Sequence, residues 1–126
     1  MTEQDIRWNR FIEEICERNL SDLSPIQKKA VLCFWYDSEM ENGGHFGYLE
    51  NHPETNPDEL ENAILAIGGK EIADNYRKAI TDGEEDDWEE TDNAYYDFDP
   101  SLCDCLQEFV KKNKGVIFDE RKSGYE

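Results

Sequence analysis

Residues 24–44 read S-P-I-Q-K-K-A-V-L-C-F-W-Y-D-S-E-M-E-N-G-G. Serine, then proline, then glutamine at the third position after serine, is a helix start. Ser24 can accept from an orphaned backbone N–H, Pro25 has no N–H to orphan, and Gln27 can reach back to the cap. Ile26, Ala30, Val31, Phe34 and Trp35 then recur at helical spacing, and Asn42-Gly43-Gly44 offers residues that take the left-handed turn ending a helix.

The same punctuation extends in both directions. Thr2 and Asp5 stand near capping-box spacing, and Ile6, Trp8, Phe11, Ile12, Ile15 and Cys16 carry a first helix to about Asn19. His45 to Asn51 reads as a short helix or structured turn. Asn56 and Pro57 open a helix with Leu60, Ala63, Ile64 and Ile67 on one face, which Gly68-Gly69 ends. Ile72, Ala73, Tyr76, Ala79 and Ile80 mark the next helix. Asp99-Pro100 opens a last one bearing Leu102, Cys105, Leu106, Phe109 and Val110. Lys111, Lys112 and Lys114 suit its carbonyl end, Gly115 closes it, and Val116-Ile117-Phe118 pack back on the core. Period-two alternation is scarce. The expected fold is all-α: a single compact domain, residues 1–126, of five to six helices with one acidic, aromatic-containing loop.

Residues 82–98, which read as an ordered loop, a short helix around Trp88 or a partly mobile segment, are the chain's most unusual stretch. Between Ala79 and Val110 lie twelve carboxylates and no Lys or Arg. Asp82, Glu84, Glu85, Asp86, Asp87, Glu89, Glu90, Asp92, Asp97 and Asp99 crowd together, threaded with Trp88, Tyr95, Tyr96 and Phe98. A disordered acidic tail would lack the rings. Residues 37–61 add eight acids and no Lys or Arg, and the whole 126-residue chain carries a formal net charge of −18. Such a field repels nucleic acid and anionic membrane surfaces and attracts basic proteins. DNA presents one charge per ~1.7 Å of axis, and a helix rises ~1.5 Å per residue, so carboxylates on a folded surface can approach phosphate spacing.

Chemistry is harder to find. The histidines are His45 and His52, and no nucleophile elbow, phosphate-binding glycine loop or cofactor motif is present. No catalytic residue and no cofactor is assigned. Asp37, Glu39, Glu41 and His45 lie close in sequence, but no calcium-loop spacing occurs, and Cys103-Asp104-Cys105 lacks a second ligand pair, so no metal site is assigned. Cys16 and Cys33 read as buried reduced thiols. No apolar run approaches a membrane span and no signal-peptide core follows Met1, so the expected location is the cytoplasm.

The stretch Asp37–Asn51, D-S-E-M-E-N-G-G-H-F-G-Y-L-E-N, resembles the signature of a bacterial family of DNA-mimic proteins, a helical domain of unknown function with an Asn-Gly-Gly motif. The matching positions are Glu39, Asn42, Gly43, Gly44, Phe46, Tyr48 and Asn51. Ala63-Ile64-Leu65-Ala66-Ile67-Gly68-Gly69, with Ala73 and Ala79, resembles that family's Ala-Leu-x-x-Ile-Gly-Ala helix junction, and the resemblance spans about residues 26–118. One departure is His45, where the family has Phe directly after Asn-Gly-Gly. The resemblance implies an all-helical fold and no known catalytic activity. It also implies a structural role for the signature: Asn42 and Gly43 end a helix, Gly44 allows close approach, and Phe46, Tyr48 and Leu49 fill the core.

Charge and resemblance together point to a DNA mimic that occupies the basic site of a DNA-binding protein such as a transcription factor. Asp82, Glu84, Glu85, Asp86, Asp87, Glu89, Glu90 and Asp92 would be the acidic face, with Trp88 as an apolar anchor. The alternative is an immunity-type or adaptor protein that neutralises one specific basic enzyme. Neither reading involves direct nucleic-acid or membrane binding, and both are compatible with a monomer or a homodimer.

Overall fold

The computed structural model describes residues 2–118; Met1 and the last eight residues of the expected 1–126 domain lie outside them. The described residues form seven α-helices and contain no strand: α1 Glu3–Arg10, α2 Pro25–Asn51, α3 Pro57–Gly68, α4 Lys70–Asp82, α5 Glu89–Asp97, α6 Leu102–Lys112 and α7 Lys114–Ile117. The all-α expectation holds, but the count exceeds five to six. The excess has two sources. The acidic stretch is not a loop: it is a 3₁₀ turn, Gly83–Asp86, followed by α5. And Gly115 does not close the last helix; Asn113 caps α6, and Gly115 sits inside the short α7.

Local sequence explains most helix starts. Capping boxes form at Thr2 with Asp5 and at Ser24 with Gln27. The Asn56 side chain accepts from the N–H groups of Asp58 and Glu59. The last long helix starts later than expected. Ser101, not Asp99, is its cap, and accepts from the Asp104 N–H. The first helix also differs, since α1 gives way after Arg10 to a π-helical turn, Phe11–Ile15, which brings Phe11 and Ile15 fully into the core.

Helix α2 is two limbs. Gly44, at φ 67° and ψ −165°, breaks the helical course at the expected place, but the chain resumes a helix at once. The second limb folds back on the first. Trp35 stacks on His52 with ring centroids 5.6 Å apart, and Glu39 Oε1 accepts from Asn51 Nδ2 at 3.0 Å. Twelve residues of unbroken helix would hold the last two about 18 Å apart.

The core gathers around Tyr36 in the first limb. Its ring lies 5.2 Å from Tyr48, 5.3 Å from Tyr76 and 5.4 Å from Tyr95, so both limbs of α2, α4 and α5 converge there. These edge-on contacts add to the area each ring buries. Helix α3 crosses α6 closely at Gly68, where a β-carbon would stand 2.8 Å from Leu102 Cδ1. Gln27, besides capping, is buried and donates from Nε2 to the Ile117 carbonyl at 2.7 Å. Ile117 and Phe118 do pack on the core, and Cys16 and Cys33 are buried free thiols.

Candidate functional site

The acidic stretch is held by α4 on one side and the corner of α2 on the other. Its course turns on Asp87 (φ 55°) and Trp88 (φ 63°), two successive left-handed residues without the freedom of glycine. Each costs energy in that conformation, more for the bulky Trp88. The Trp88 ring and backbone offset that cost. The indole N–H donates to the Ala79 carbonyl at 3.0 Å, the backbone N–H donates to Gly83 O at 2.7 Å, and the ring fills the space a β-carbon on Gly83 would need, 2.1 Å away. Trp88 is therefore half-buried and partly structural rather than a freely presented anchor.

The expected acidic face divides into two groups. Asp82, Glu84, Glu85, Asp86, Asp87 and Glu89 are exposed. Asp86 also accepts from the Glu90 N–H at 3.0 Å, which steadies the first turn of α5. Glu90 is exposed but ion-paired with Lys78. Asp92 is turned inward. Its Oδ1 accepts from the His45 backbone N–H at 3.0 Å and lies 2.7 Å from His45 Nδ1. It thus caps the second limb of α2 from another helix, satisfying an N–H that the break at Gly44 would orphan.

His45 is fully buried and hydrogen-bonded through both ring nitrogens. Its Nε2 lies 2.6 Å from the Tyr36 hydroxyl. Burial lowers its pKa, against the opposing pull of Asp92. Burial likewise holds the Tyr36 hydroxyl protonated, well above the usual range. The consistent assignment is a neutral imidazole donating from Nδ1 to Asp92 and accepting at Nε2 from Tyr36. Asp92, His45 and Tyr36 carry the atoms of an acid–base relay, but His45 and Tyr36 are wholly enclosed by the core. The arrangement is suited to fixing the corner.

The signature residues are sorted by the same corner. Gly44 is at its apex, Tyr48 is buried, and Glu39 clamps the returning limb through Asn51 and through His52 Nε2 at 3.2 Å. Asn42 and Gly43 are exposed and are the last helical residues of the first limb, which ends at the break at Gly44. Phe46 does not fill the core. It is 55% exposed, with its ring 5.8 Å from that of Trp88. Sequence reasoning missed both this exposed pair and the buried His45. The only visible sign was His45 standing where the resembling family has Phe.

The two acid-rich stretches meet along this edge. Asp37 accepts from the Tyr95 hydroxyl, and the Tyr96 hydroxyl donates to the Met40 carbonyl. Burial raises the Asp37 pKa, with Glu41 and Asp104 adding to the effect. The end of the second stretch is paired with bases: Arg77 Nη2 binds Asp58 and Glu61 at 2.6 Å each, and Lys28 binds Glu59 at 2.7 Å. Exposed carboxylates are thus densest on the turn from Asp82 to Glu89, with Lys78 at its edge.

A family model described as DMP19-like protein matches residues 21–116. The chain belongs to that family. No curated protein matches it, and no solved structure does. The matched segment begins before α2 and ends in α7, so it contains the α2 corner, the buried His45 network and the whole acidic turn characteristic of this DMP19-like chain. No group of three or more His, Cys, Asp or Glu residues among the described residues is placed to hold a metal ion. No helix among them is long and apolar enough to cross a membrane.

Proposed function

We propose that this DMP19-like protein is a DNA mimic, and that its acidic turn occupies the DNA site of a basic DNA-binding protein. The observation that carries this reading is the turn itself: exposed carboxylates at Asp82, Glu84, Glu85, Asp86, Asp87 and Glu89 rise from a frame pinned by Trp88 and Asp92. A pinned acidic surface loses little conformational entropy on binding, unlike a disordered acidic tail. Family membership supports the same reading, since the family it resembles is one of DNA mimics. Asp92 acts in this scheme as a positioning residue and not as a phosphate surrogate.

The test is capture of proteins from a lysate of the source organism at low salt, followed by a salt gradient and, separately, by double-stranded DNA as competitor. DNA-binding proteins should be retained, released steeply with salt and displaced by DNA. Capture that is insensitive to salt, or that recovers only proteins without a basic surface, refutes the proposal. A second reading, neutralisation of one specific basic enzyme, draws on the exposed Phe46–Trp88 pair, because an apolar anchor selects a particular surface. Retention of a single basic enzyme that DNA does not displace would favour it.

A further inference from the structure

Gly43 and Gly47 flank Phe46, and both lie in helical backbone without the positive φ that Gly44 requires. A β-carbon on Gly43 would meet nothing within 4 Å, and one on Gly47 would meet only Glu39 Oε1, at 4.0 Å. Gly43 is the last residue before the break at Gly44 and Gly47 lies in the first turn after it, and a side chain would find open space at both. Positions 43, 44 and 47, close to Phe46 in sequence, carry no side chain. That ring is 55% exposed and is propped against Trp88 rather than packed into the core. Glu50 lies four residues on along the same limb, on the same face, and Glu89 follows Trp88 directly; both are exposed.

An exposed ring next to glycine backbone, with an exposed carboxylate one helical turn on and another following its ring partner in the chain, fits one side chain well. A guanidinium is planar, stacks on aromatic faces and presents a fork of donors to carboxylates, whereas an ammonium is a compact, strongly hydrated charge. We propose that the face formed by Phe46, Gly43 and Gly47 docks an arginine of the basic partner, its guanidinium stacked on the Phe46 ring and bonded to Glu50 or Glu89. The inference rests on the DNA-mimic reading and sharpens it: the partner is recognised through arginine, not through positive charge alone.

The probes are two synthetic peptides, one of alternating Arg and Ala and one of alternating Lys and Ala, titrated onto the full chain at low salt. The Arg peptide should bind tighter by about two- to five-fold. Phe46→Leu should abolish that preference while leaving salt-dependent binding of both peptides. Gly43→Ala and Gly47→Ala should raise the melting temperature and weaken the Arg peptide selectively. Equal affinity for the two peptides, or a preference that survives Phe46→Leu, overturns the inference alone; failure of both peptides to bind overturns the DNA-mimic reading with it. If sedimentation shows that Phe46→Leu converts a dimer to a monomer, the face belongs to a second copy of the chain and the inference is overturned.

Discussion

The Asp92 carboxylate occupies the space beside Gly44: a β-carbon there would lie 2.4 Å from Asp92 Oδ2. One residue is therefore glycine for two reasons, its conformation and its neighbour. Gly44→Ala should cost at least about 2–3 kcal/mol, because the region near φ 67°, ψ −165° is almost closed to residues with a side chain and Asp92 would have to move. Urea unfolding checks this, with Gly43→Ala, one residue away, as the control that does not destabilise.

Asp92 and Glu89 differ by three positions and should behave in opposite ways. Asp92→Asn weakens two contacts to His45 and should cost about 1.5–3 kcal/mol. Glu89→Gln should leave stability within about 0.5 kcal/mol of the parent, as expected for an exposed position, while reducing the salt dependence of partner binding. Equal stability losses would show that the division of the acidic face is wrong.

Stability should fall as the solution is acidified toward pH 5, in part through His45. Burial lowers its folded pKa below the ordinary 6.5, so the unfolded chain takes up the proton first. Its contribution is whole above 6.5 and is lost as pH falls through that value to the lowered folded one. His45→Gln should flatten the slope of unfolding free energy against pH in this window, even if the variant is less stable throughout.

Asp37 has the opposite sign. Its folded pKa is raised above 3.8 by burial, so its ionised form weakens the fold at neutral pH and the penalty disappears as pH falls below 3.8. Asp37→Asn keeps an acceptor for the Tyr95 hydroxyl. It should melt higher than the parent at pH 7, and the advantage should vanish at pH 3.5.

Asp87 sits at φ 55° with an exposed side chain. Asp87→Gly should stabilise the chain by about 0.5–1 kcal/mol, by removing left-handed strain and one repelling charge. Thermal unfolding at low and high salt separates the two contributions, since only the second is screened.

Local rules account for what the sequence discloses here. The boxes at Thr2 and Ser24 and the cap at Asn56 use residues within three positions, and all form. The corner at Gly44 was legible as a break but not as a fold-back, because the group that restarts the helix, Asp92, is 47 residues from His45. The same distance hid the burial of His45. The family signature places Phe46 in the core, whereas its surroundings are set by how Trp88 turns over Gly83. The acidic stretch read as a loop for lack of an N-cap: α5 begins at left-handed Trp88, with no side-chain cap. The charge of the site was visible from composition, but which acids face solvent depended on Lys78, Arg77 and His45, each reaching from another helix.

The bond from Gln27 to the Ile117 carbonyl has a topological consequence. It joins the opening turn of α2 to α7, so residues 27–117 run in a circuit whose two ends touch. The segment that enters the circuit and the one that leaves it do so at one place, held by the Gln27 amide and by the burial of Ile117 in the core.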